Sequence, residues 1–277
     1  MTICIYHANC ADGFGAAWVV RKALGDISAF DIDFHPGTYQ NPPPDVAGKD
    51  VVIVDFSYKR PVLIEMAQMA NSILIIDHHK SAIDDLIELP SNVIAKFDMN
   101  HSGAMLTWEH FFPGQVPPPL LLHIEDRDLW RFALQNTREI QANVFSYPYD
   151  FQVWDTLMAM APTALVVGGE AIERKHLKDI RELLGVMTRE MMIGGFQVLA
   201  ANLPYTMSSD AGHELAKGRP FAACYWFTKE GVCFSLRSSD EGLDVSEIAK
   251  QYGGGGHRNA AGFRVSFAQA QEFEVLY

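Results

Sequence analysis

The first part of the chain alternates short apolar runs with longer segments that carry apolar residues at helical spacing. The apolar runs are rich in β-branched residues, as buried strands are, and lie at 3–7, 29–34, 51–55, 73–77 and 93–97. The segments with helical spacing lie at 12–24, 60–70 and 101–112. This alternation predicts a parallel β-sheet covered by helices over residues 1–112.

A helical pattern occupies residues 120 to 193, and the strand pattern returns after it. Strands are predicted at 196–201, 221–228, 232–237 and 262–267, and helices near 244–251 and 268–275. The glycine pair Gly194-Gly195 offers a hinge between the two regions. We therefore predict an α/β protein with two domains. The parallel-sheet domain and its helical connector occupy 1–194, and a smaller mixed α/β domain occupies 195–277.

Three predicted strands end in side chains that can bind metal ions. His7 ends the first strand, Asp55 ends the third, and Asp77 and His78 follow the fourth. The carboxyl ends of parallel strands line one crevice, so these side chains are expected to converge there. Unpaired ionisable groups at the edge of a core are costly, which makes a cation or a substrate their expected partner. If these residues had only structural roles, there would be no reason for all three strands to end in a side chain that can bind a metal ion.

The acidic segment at 123–130 is a further candidate. Asp126 and Asp128 are two residues apart, and on a helix such residues do not share a face. Only one of them is expected to point into the crevice, and the spacing leaves the choice open. Trp130 follows this segment and either packs in a core or stacks on a nucleobase.

A glycine-rich run near the end of the chain precedes two side chains that can contact phosphate. The run and its neighbours are Gly253, Gly254, Gly255, Gly256, His257 and Arg258. Consecutive glycines can expose backbone amides to an anion, although such stretches are more often turns. Arg237 and Ser102 are further candidate phosphate contacts, with an exposed arginine and a helix cap as the alternative interpretations.

The overall composition limits the classes of substrate and the cellular compartment that are expected for this protein. The formal net charge of −12 argues against broad binding to long duplex DNA, because proteins that bind nucleic acid non-specifically present a basic face. No apolar run approaches the roughly 20 residues that span a bilayer, and the start of the chain does not resemble a signal peptide. The four cysteines lack a disulfide or zinc-finger spacing, which favours a reducing cytoplasm. The oligomeric state is left open.

Five motifs in this sequence together resemble the DHH phosphoesterase superfamily, in the branch with a DHH-associated C-terminal domain. They are HANCADGFGAA at 7–17, VVIVDF at 51–56, DHHKSA at 77–82, EDRD at 125–128 and YGGGGHRNAAGF at 252–263. The motifs occur in the order typical of that family and span nearly the whole chain. The resemblance implies a two-domain enzyme that hydrolyses phosphoester or phosphoanhydride bonds with two divalent cations, usually manganese.

The resemblance also implies roles for individual residues. His7 and Asp55 would hold one cation, and Asp55 would bridge to a second cation held by Asp12, His78 and Asp126. Asp77, itself a possible ligand, would orient His78, while His79 would face the substrate. Arg258 would stabilise charge on the phosphoryl oxygens.

Cys10 departs from the family pattern, which usually has aspartate in its place. A thiolate is softer than a carboxylate and favours zinc or iron over manganese or magnesium. Cys10 is therefore either a ligand that alters the preferred metal or a bystander beside the site.

The expected function is hydrolysis of short nucleotide compounds by a metal-activated hydroxide. Nano-RNA and phosphoadenosine phosphate are the first substrates expected, and cyclic dinucleotides or short polyphosphates are the alternatives. A nucleotide-binding protein with a degenerate first metal site at Cys10 is the alternative from another class. The intact ligand positions favour an enzyme.

Overall fold

The computed structural model describes residues 1–25 and 32–273. It divides into two compact units, Met1–Glu173 and Arg174–Tyr277. Within the described residues, no helix combines the length and the apolar character that are needed to cross a bilayer.

The first unit contains a five-stranded, wholly parallel sheet. Its strands are β1 (Thr2–His7), β2 (Ile32–Gly37), β3 (Asp50–Val54), β4 (Ser72–Asp77) and β5 (Val93–Phe97). The strand order is β2-β1-β3-β4-β5, so the direction of strand addition reverses between β1 and β3. The predicted parallel α/β architecture is thus confirmed, while residues 29–31 of the predicted second strand lie outside the described residues.

Helices cover both faces of this sheet. They are α1 (Ala11–Leu24), α2 (Arg60–Met69), α3 (Gly103–Phe111), α4 (Pro119–Asp128), α5 (Thr137–Val144) and α6 (Phe151–Ala159). One core joins the sheet to α1, α3 and α4 through residues such as Val19, Met105 and Ile124. The other core packs Leu63 and Met66 of α2 against Ile53 of β3. Because both faces are covered, the interiors of the central strands β1, β3 and β4 are apolar, and their ionisable groups lie at the strand ends.

The 26-residue helix α7 (Pro162–Met187) carries the chain from the first unit into the second. The second unit holds a six-stranded mixed sheet of order β10-β11-β9-β8-β7-β6. Its elements are β6 (Thr188–Ile193), β7 (Phe196–Asn202), α8 (Ser208–Ala216), β8 (Ala222–Phe227), β9 (Val232–Arg237), α9 (Val245–Lys250), β10 (Gly255–His257), β11 (Ala260–Val265) and α10 (Phe267–Gln271). Only β7 and β8 pair in parallel among these described strands. Residues 274–275 of the predicted last helix lie outside the described residues.

Gly194 and Gly195 form a hairpin turn, which differs from the hinge predicted at the 194/195 boundary. Their φ angles are +59° and +81°, and they join the antiparallel strands β6 and β7. A two-residue turn with two positive φ angles is a common way to close a hairpin, and glycine adopts those angles without strain. The two compact units meet within α7, between Glu173 and Arg174.

Candidate metal centre at the carboxyl edge of the parallel sheet

Polar side chains collect where the central strands of the first unit end. His7 is the last residue of β1, Asp55 directly follows β3, and Asp77 is the last residue of β4. The adjacent strands β1 and β3 lie where the strand order reverses, which is where open α/β sheets usually bind ligands. Asp55, Asp77 and His78 each have 1% or less of their surface exposed. The structure thus brings these predicted residues to one edge and buries them.

Asp55 occupies the centre of this edge in a strained backbone conformation. Its φ of +52° lies in the left-handed region, which residues other than glycine rarely adopt and which often marks functional sites. Its Oδ1 lies 2.9 Å from His78 Nε2, and its Oδ2 lies 3.5 Å from His7 Nδ1. The two carboxylate oxygens therefore face two different imidazoles.

The first glycine of α3 makes this placement of Asp55 possible. A Cβ atom on Gly103 would lie 2.4 Å from the Cβ of Asp55, which is closer than real atoms approach. The helix N-terminus also donates to a second carboxylate, because the amides of Gly103 and Ala104 bond to Asp12 at 2.6 and 3.0 Å. The start of α3 thus positions two acidic side chains of the site.

Of the groups of candidate ligands at this edge, which also include Asp55 with Asp77 and His79, two correspond to the predicted cation sites. In one group, ligand atoms of His7, Cys10 and Asp55 lie within 4.8 Å of one another. In the other, ligand atoms of Asp12, His78 and Asp128 do so. The close approach of α1 to β1 depends on Gly13, since a Cβ there would lie 2.2 Å from the carbonyl oxygen of His7. The structure therefore places the Cys10 thiol with the predicted ligands of the first cation.

Asp128 takes the place that the family resemblance implied for Asp126. Asp128 Oδ2 lies 3.6 Å from His78 Nε2. The carboxylate of Asp126 instead accepts bonds from the amides of Ala133 and Leu134 and from Thr137 Oγ1, at 2.8, 3.1 and 2.6 Å. The prediction of Asp126 as a ligand is therefore wrong, because that side chain fixes the loop that leads into α5.

Asp77 orients His79 rather than the imidazole of His78. Its Oδ1 accepts a bond of 2.7 Å from His79 Nδ1 and one of 2.8 Å from the backbone amide of His78. The role predicted for Asp77 is corrected accordingly. The ring of His79 is fixed through Nδ1, while the ring of His78 is held by Asp55.

Burial and mutual repulsion perturb the acid-base properties of the cluster. Burial raises the pKa of Asp12 well above its usual range, and the charges of Asp55 and Asp128 add to that effect. Burial would also raise the pKa of Asp55, but its interactions with the imidazoles of His7 and His78 outweigh that effect and hold the pKa well below its usual range. Burial opposes protonation of His78, yet its bond to Asp55 raises its pKa to about 10. The negative charges of Asp12, Asp55 and Asp128 are therefore only partly neutralised by the nearby imidazoles.

The donor set fits divalent cations. Among the described residues, the Oδ2 atoms of Asp55, Asp77 and Asp128 are buried without a hydrogen-bond partner. Buried carboxylate oxygens are normally paired or coordinate metals, because desolvating them alone is costly. Imidazole nitrogens and carboxylate oxygens suit manganese, magnesium, zinc and iron, and the thiol adds affinity for the softer ions.

The glycine run of the second unit is largely committed to internal contacts. The amides of Gly253 and Gly254 donate to the carbonyls of Lys250 and Ala249, so they close α9. A Cβ on Gly254 would lie 2.0 Å from the carbonyl oxygen of Gly262. Gly255, Gly256 and His257 form β10. The predicted phosphate cradle is therefore corrected at Gly254, whose amide already has an acceptor and whose missing side chain is explained by packing.

The remaining predicted contacts also have partners within the chain. Arg258 is exposed, and its guanidinium donates to the carbonyl of Gly242 and to Asn259 Oδ1. Arg237 is half-buried and donates to Ser235 Oγ and Ser209 Oγ. Ser102 caps α3 by accepting a bond of 3.3 Å from the amide of Met105, as its alternative interpretation held.

Comparisons with known proteins agree with this fold. Residues 211–274 match the DHHA1 domain family. An uncharacterized protein, R106, of Acanthamoeba polyphaga mimivirus is 32% identical over 289 residues, which cover 95% of this chain and 67% of that protein. The structure of RecJ from Thermus thermophilus in complex with Mn²⁺ superposes with a TM-score of 0.50 at 16% identity, over 96% of this chain and 50% of that chain. A pGpG-specific phosphodiesterase, PggH, from Vibrio cholerae gives a TM-score of 0.46 at 15% identity, over 98% and 95% of the two chains.

The parallel sheet with a buried Asp-His-His segment at its edge and the DHHA1 match at residues 211–274 together identify the class of protein. The chain belongs to the DHH superfamily, whose DHHA1 domain it carries at residues 211–274.

Proposed function

We propose that this chain hydrolyses phosphoester bonds of short nucleotide compounds, with nano-RNA and phosphoadenosine phosphate as the first candidate substrates. The observation that carries the proposal is the position of Asp55, whose two oxygens face His7 on one side and His78 on the other. A carboxylate with one oxygen toward each of two ligand groups is suited to bridge two cations.

The chain's own residues would hold the cations in two sets. His7, Cys10 and Asp55 would hold the first, and Asp12, Asp55, His78 and Asp128 would hold the second. Bound divalent cations would supply Lewis acidity and lower the pKa of a water molecule.

His79 would act on the substrate rather than on a cation. Its Nδ1 is bonded to Asp77, so Nε2 is the atom through which it would donate to a phosphoryl oxygen or to the leaving group. The fully buried carboxylate of Asp77 fixes the orientation of the ring, as carboxylates do for many working imidazoles.

Cys10 bears on the identity of the first cation. Manganese is the reference choice, since the RecJ structure to which this fold is similar was determined in complex with Mn²⁺. A thiolate in the first group would raise the affinity of that site for zinc or iron relative to manganese and magnesium. We therefore propose a first site that accepts softer cations than the second, whose ligands are two carboxylates and an imidazole besides Asp55.

The net charge favours a small substrate. At −12 the chain lacks the excess of cationic side chains that non-specific binding to long duplexes requires. Arg258, which is exposed on the second unit, is the residue we propose for contact with a phosphate of the substrate, together with His257.

A substrate panel tests the proposal. Purified protein is assayed with a synthetic phosphodiester, a nano-RNA dinucleotide, phosphoadenosine phosphate, a cyclic dinucleotide and a short polyphosphate, each with manganese, magnesium, zinc or iron. We expect the dinucleotide or phosphoadenosine phosphate to give the highest kcat/KM. Absence of turnover for every pair of substrate and cation would contradict the proposal and favour a nucleotide-binding role.

A further inference from the structure

Tyr39 lies beside the metal centre although no sequence motif marks it. The residue follows β2, the edge strand that pairs in parallel with β1 so that His7 stands opposite Gly37. The carboxyl end of β2 therefore belongs to the same sheet edge as the candidate ligands. A Cβ on Gly37 would lie 3.1 Å from the ring of Phe56, so glycine at this position allows the end of β2 to approach that ring.

The ring of Tyr39 packs among the aromatic side chains of the site. Its centroid lies 5.5 Å from the ring of His7, 6.0 Å from that of His79 and 4.9 Å from that of Phe56. The contacts with the two imidazoles are edge-to-face. Tyr39 thus contacts both a candidate metal ligand and the imidazole proposed to act on the substrate.

The hydroxyl of Tyr39 is buried, and within the described residues it has no hydrogen-bond partner. Buried tyrosine hydroxyls almost always have one, because a desolvated O–H group without a partner costs about 1–3 kcal/mol. The phenol can donate one hydrogen bond, and the neighbouring centre is one that handles phosphoryl groups if the proposed function holds. An oxygen of a bound phosphoryl group would supply the missing acceptor.

We infer that Tyr39 is a further substrate-contacting residue, whose hydroxyl donates a hydrogen bond to a phosphoryl oxygen of the substrate held at the metal centre. The inference rests on the proposed function for the identity of the substrate. It requires no proton transfer from the phenol, only a hydrogen bond that strengthens as charge develops on the phosphoryl oxygens.

Tyr39→Phe tests the inference, because phenylalanine keeps the ring contacts and removes only the hydroxyl. The matched control is Tyr58→Phe. Tyr58 is a buried tyrosine whose ring packs against the same Phe56 at 4.9 Å. Two quantities are measured for the wild type and both variants: the affinity of the manganese-loaded protein for inorganic phosphate by calorimetry, and kcat for bis(4-nitrophenyl) phosphate. Manganese affinity and the unfolding temperature are measured alongside them.

We expect Tyr39→Phe to weaken phosphate binding and lower kcat by roughly ten- to a hundredfold, the usual effect of losing a hydrogen bond to a charged group. Manganese affinity and the unfolding temperature should stay at wild-type values, and Tyr58→Phe should match the wild type throughout. Unchanged phosphate affinity in Tyr39→Phe would overturn the inference, as would failure of the wild type to bind phosphate or a parallel loss of manganese affinity.

The two readouts separate this inference from the proposed function. Phosphate binding that depends on the Tyr39 hydroxyl, without turnover of any ester, would support the contact and contradict the phosphoesterase activity. Turnover that is equal in the wild type and in Tyr39→Phe would support the phosphoesterase activity and contradict the contact by Tyr39.

Discussion

The imidazole of His78 approaches Asp55 at 2.9 Å, while the opposite oxygen of the same carboxylate lies 3.5 Å from the imidazole of His7. One buried aspartate therefore connects the ends of β1, β3 and β4. Its backbone φ of +52° lies in the left-handed region, which aspartate rarely adopts. The surrounding structure therefore holds Asp55 in an unfavourable conformation that places its carboxylate in the site.

Asp55→Asn should abolish most of the activity. Asparagine keeps the shape of the side chain but removes the negative charge that would hold two cations together. We expect kcat/KM to fall by at least about a thousandfold, or roughly 4 kcal/mol of transition-state stabilisation. Steady-state kinetics and calorimetric titration with manganese measure the effect. A variant that keeps a tenth of the wild-type activity would exclude Asp55 from the bridging role.

Asp128→Asn and Asp126→Asn should have opposite signatures. Asp128→Asn should weaken metal binding at the second site, because Asp128 Oδ2 lies 3.6 Å from His78 Nε2. Asp126→Asn should keep metal affinity but lower the free energy of unfolding by about 1–2 kcal/mol, since its amide group would face the backbone donors of Ala133 and Leu134. Metal titration and denaturant unfolding of both proteins separate the roles. Equal metal affinities in the two variants would contradict the assignment of Asp128.

The sequence pattern predicts which edge of the sheet carries the site, but it does not predict every side chain that lies there. Apolar β-branched runs fix the buried strands, and the chain must place its polar groups where those strands end, so His7, Asp55 and Asp77 could be predicted from the pattern alone. The choice between Asp126 and Asp128 could not be predicted. Asp126 is drawn away by Thr137 and by the amides of the following loop, whose conformation depends on tertiary packing.

Tyr39 could have been found by extending the same rule to the edge strand. The pattern placed that strand at 29–34, whereas the structure has it at Ile32–Gly37, so the predicted end fell several residues short of the site. Gly194-Gly195 illustrates a different limit, because a glycine pair suits a hinge and a tight hairpin turn equally well. Only the pairing of β6 with β7 distinguishes the two.

Substitution of Cys10 should change which metal activates the enzyme. Cys10→Asp should shift activation and affinity toward manganese, because a carboxylate replaces a softer thiolate. Cys10→Ser should weaken binding at the first site and reduce the preference for zinc or iron. Metal content by mass spectrometry and calorimetric affinities for each ion give readouts that are independent of turnover. Identical metal profiles in the three proteins would show that Cys10 is a bystander.

Gly103→Ala should damage the centre without touching a ligand. The new methyl group would lie 2.4 Å from the Cβ of Asp55, so the start of α3 must move and take with it the amides that bond to Asp12. We expect lower stability and weaker manganese binding. Gly185→Ala is the control, because no heavy atom outside the adjacent residues and the backbone of its own helix lies within 4 Å of the added methyl group. Alanine also favours the interior of a helix by roughly 0.5–1 kcal/mol. Wild-type metal affinity in Gly103→Ala would contradict this account of α3.

Arg258→Ala should separate substrate binding from chemistry. The guanidinium is exposed and donates hydrogen bonds to Gly242 and Asn259, neither of which is a candidate metal ligand. Its loss should therefore leave the metal content unchanged. If Arg258 binds a phosphate of the substrate, KM for a nano-RNA dinucleotide should rise roughly tenfold or more, while hydrolysis of bis(4-nitrophenyl) phosphate stays near the wild-type rate.

Arg219→Ala, which removes another exposed arginine of the second unit, is the control for the general loss of a positive charge and should leave both substrates unaffected. The ratio of the two substrates is the informative quantity, because a folding defect would depress both rates together. Should Arg258→Ala abolish hydrolysis of the small ester while metal content stays normal, Arg258 must contact the reacting phosphoryl group itself. If Arg258→Ala and Arg219→Ala hydrolyse the dinucleotide with the same kinetics, the proposed contact between Arg258 and a substrate phosphate is contradicted.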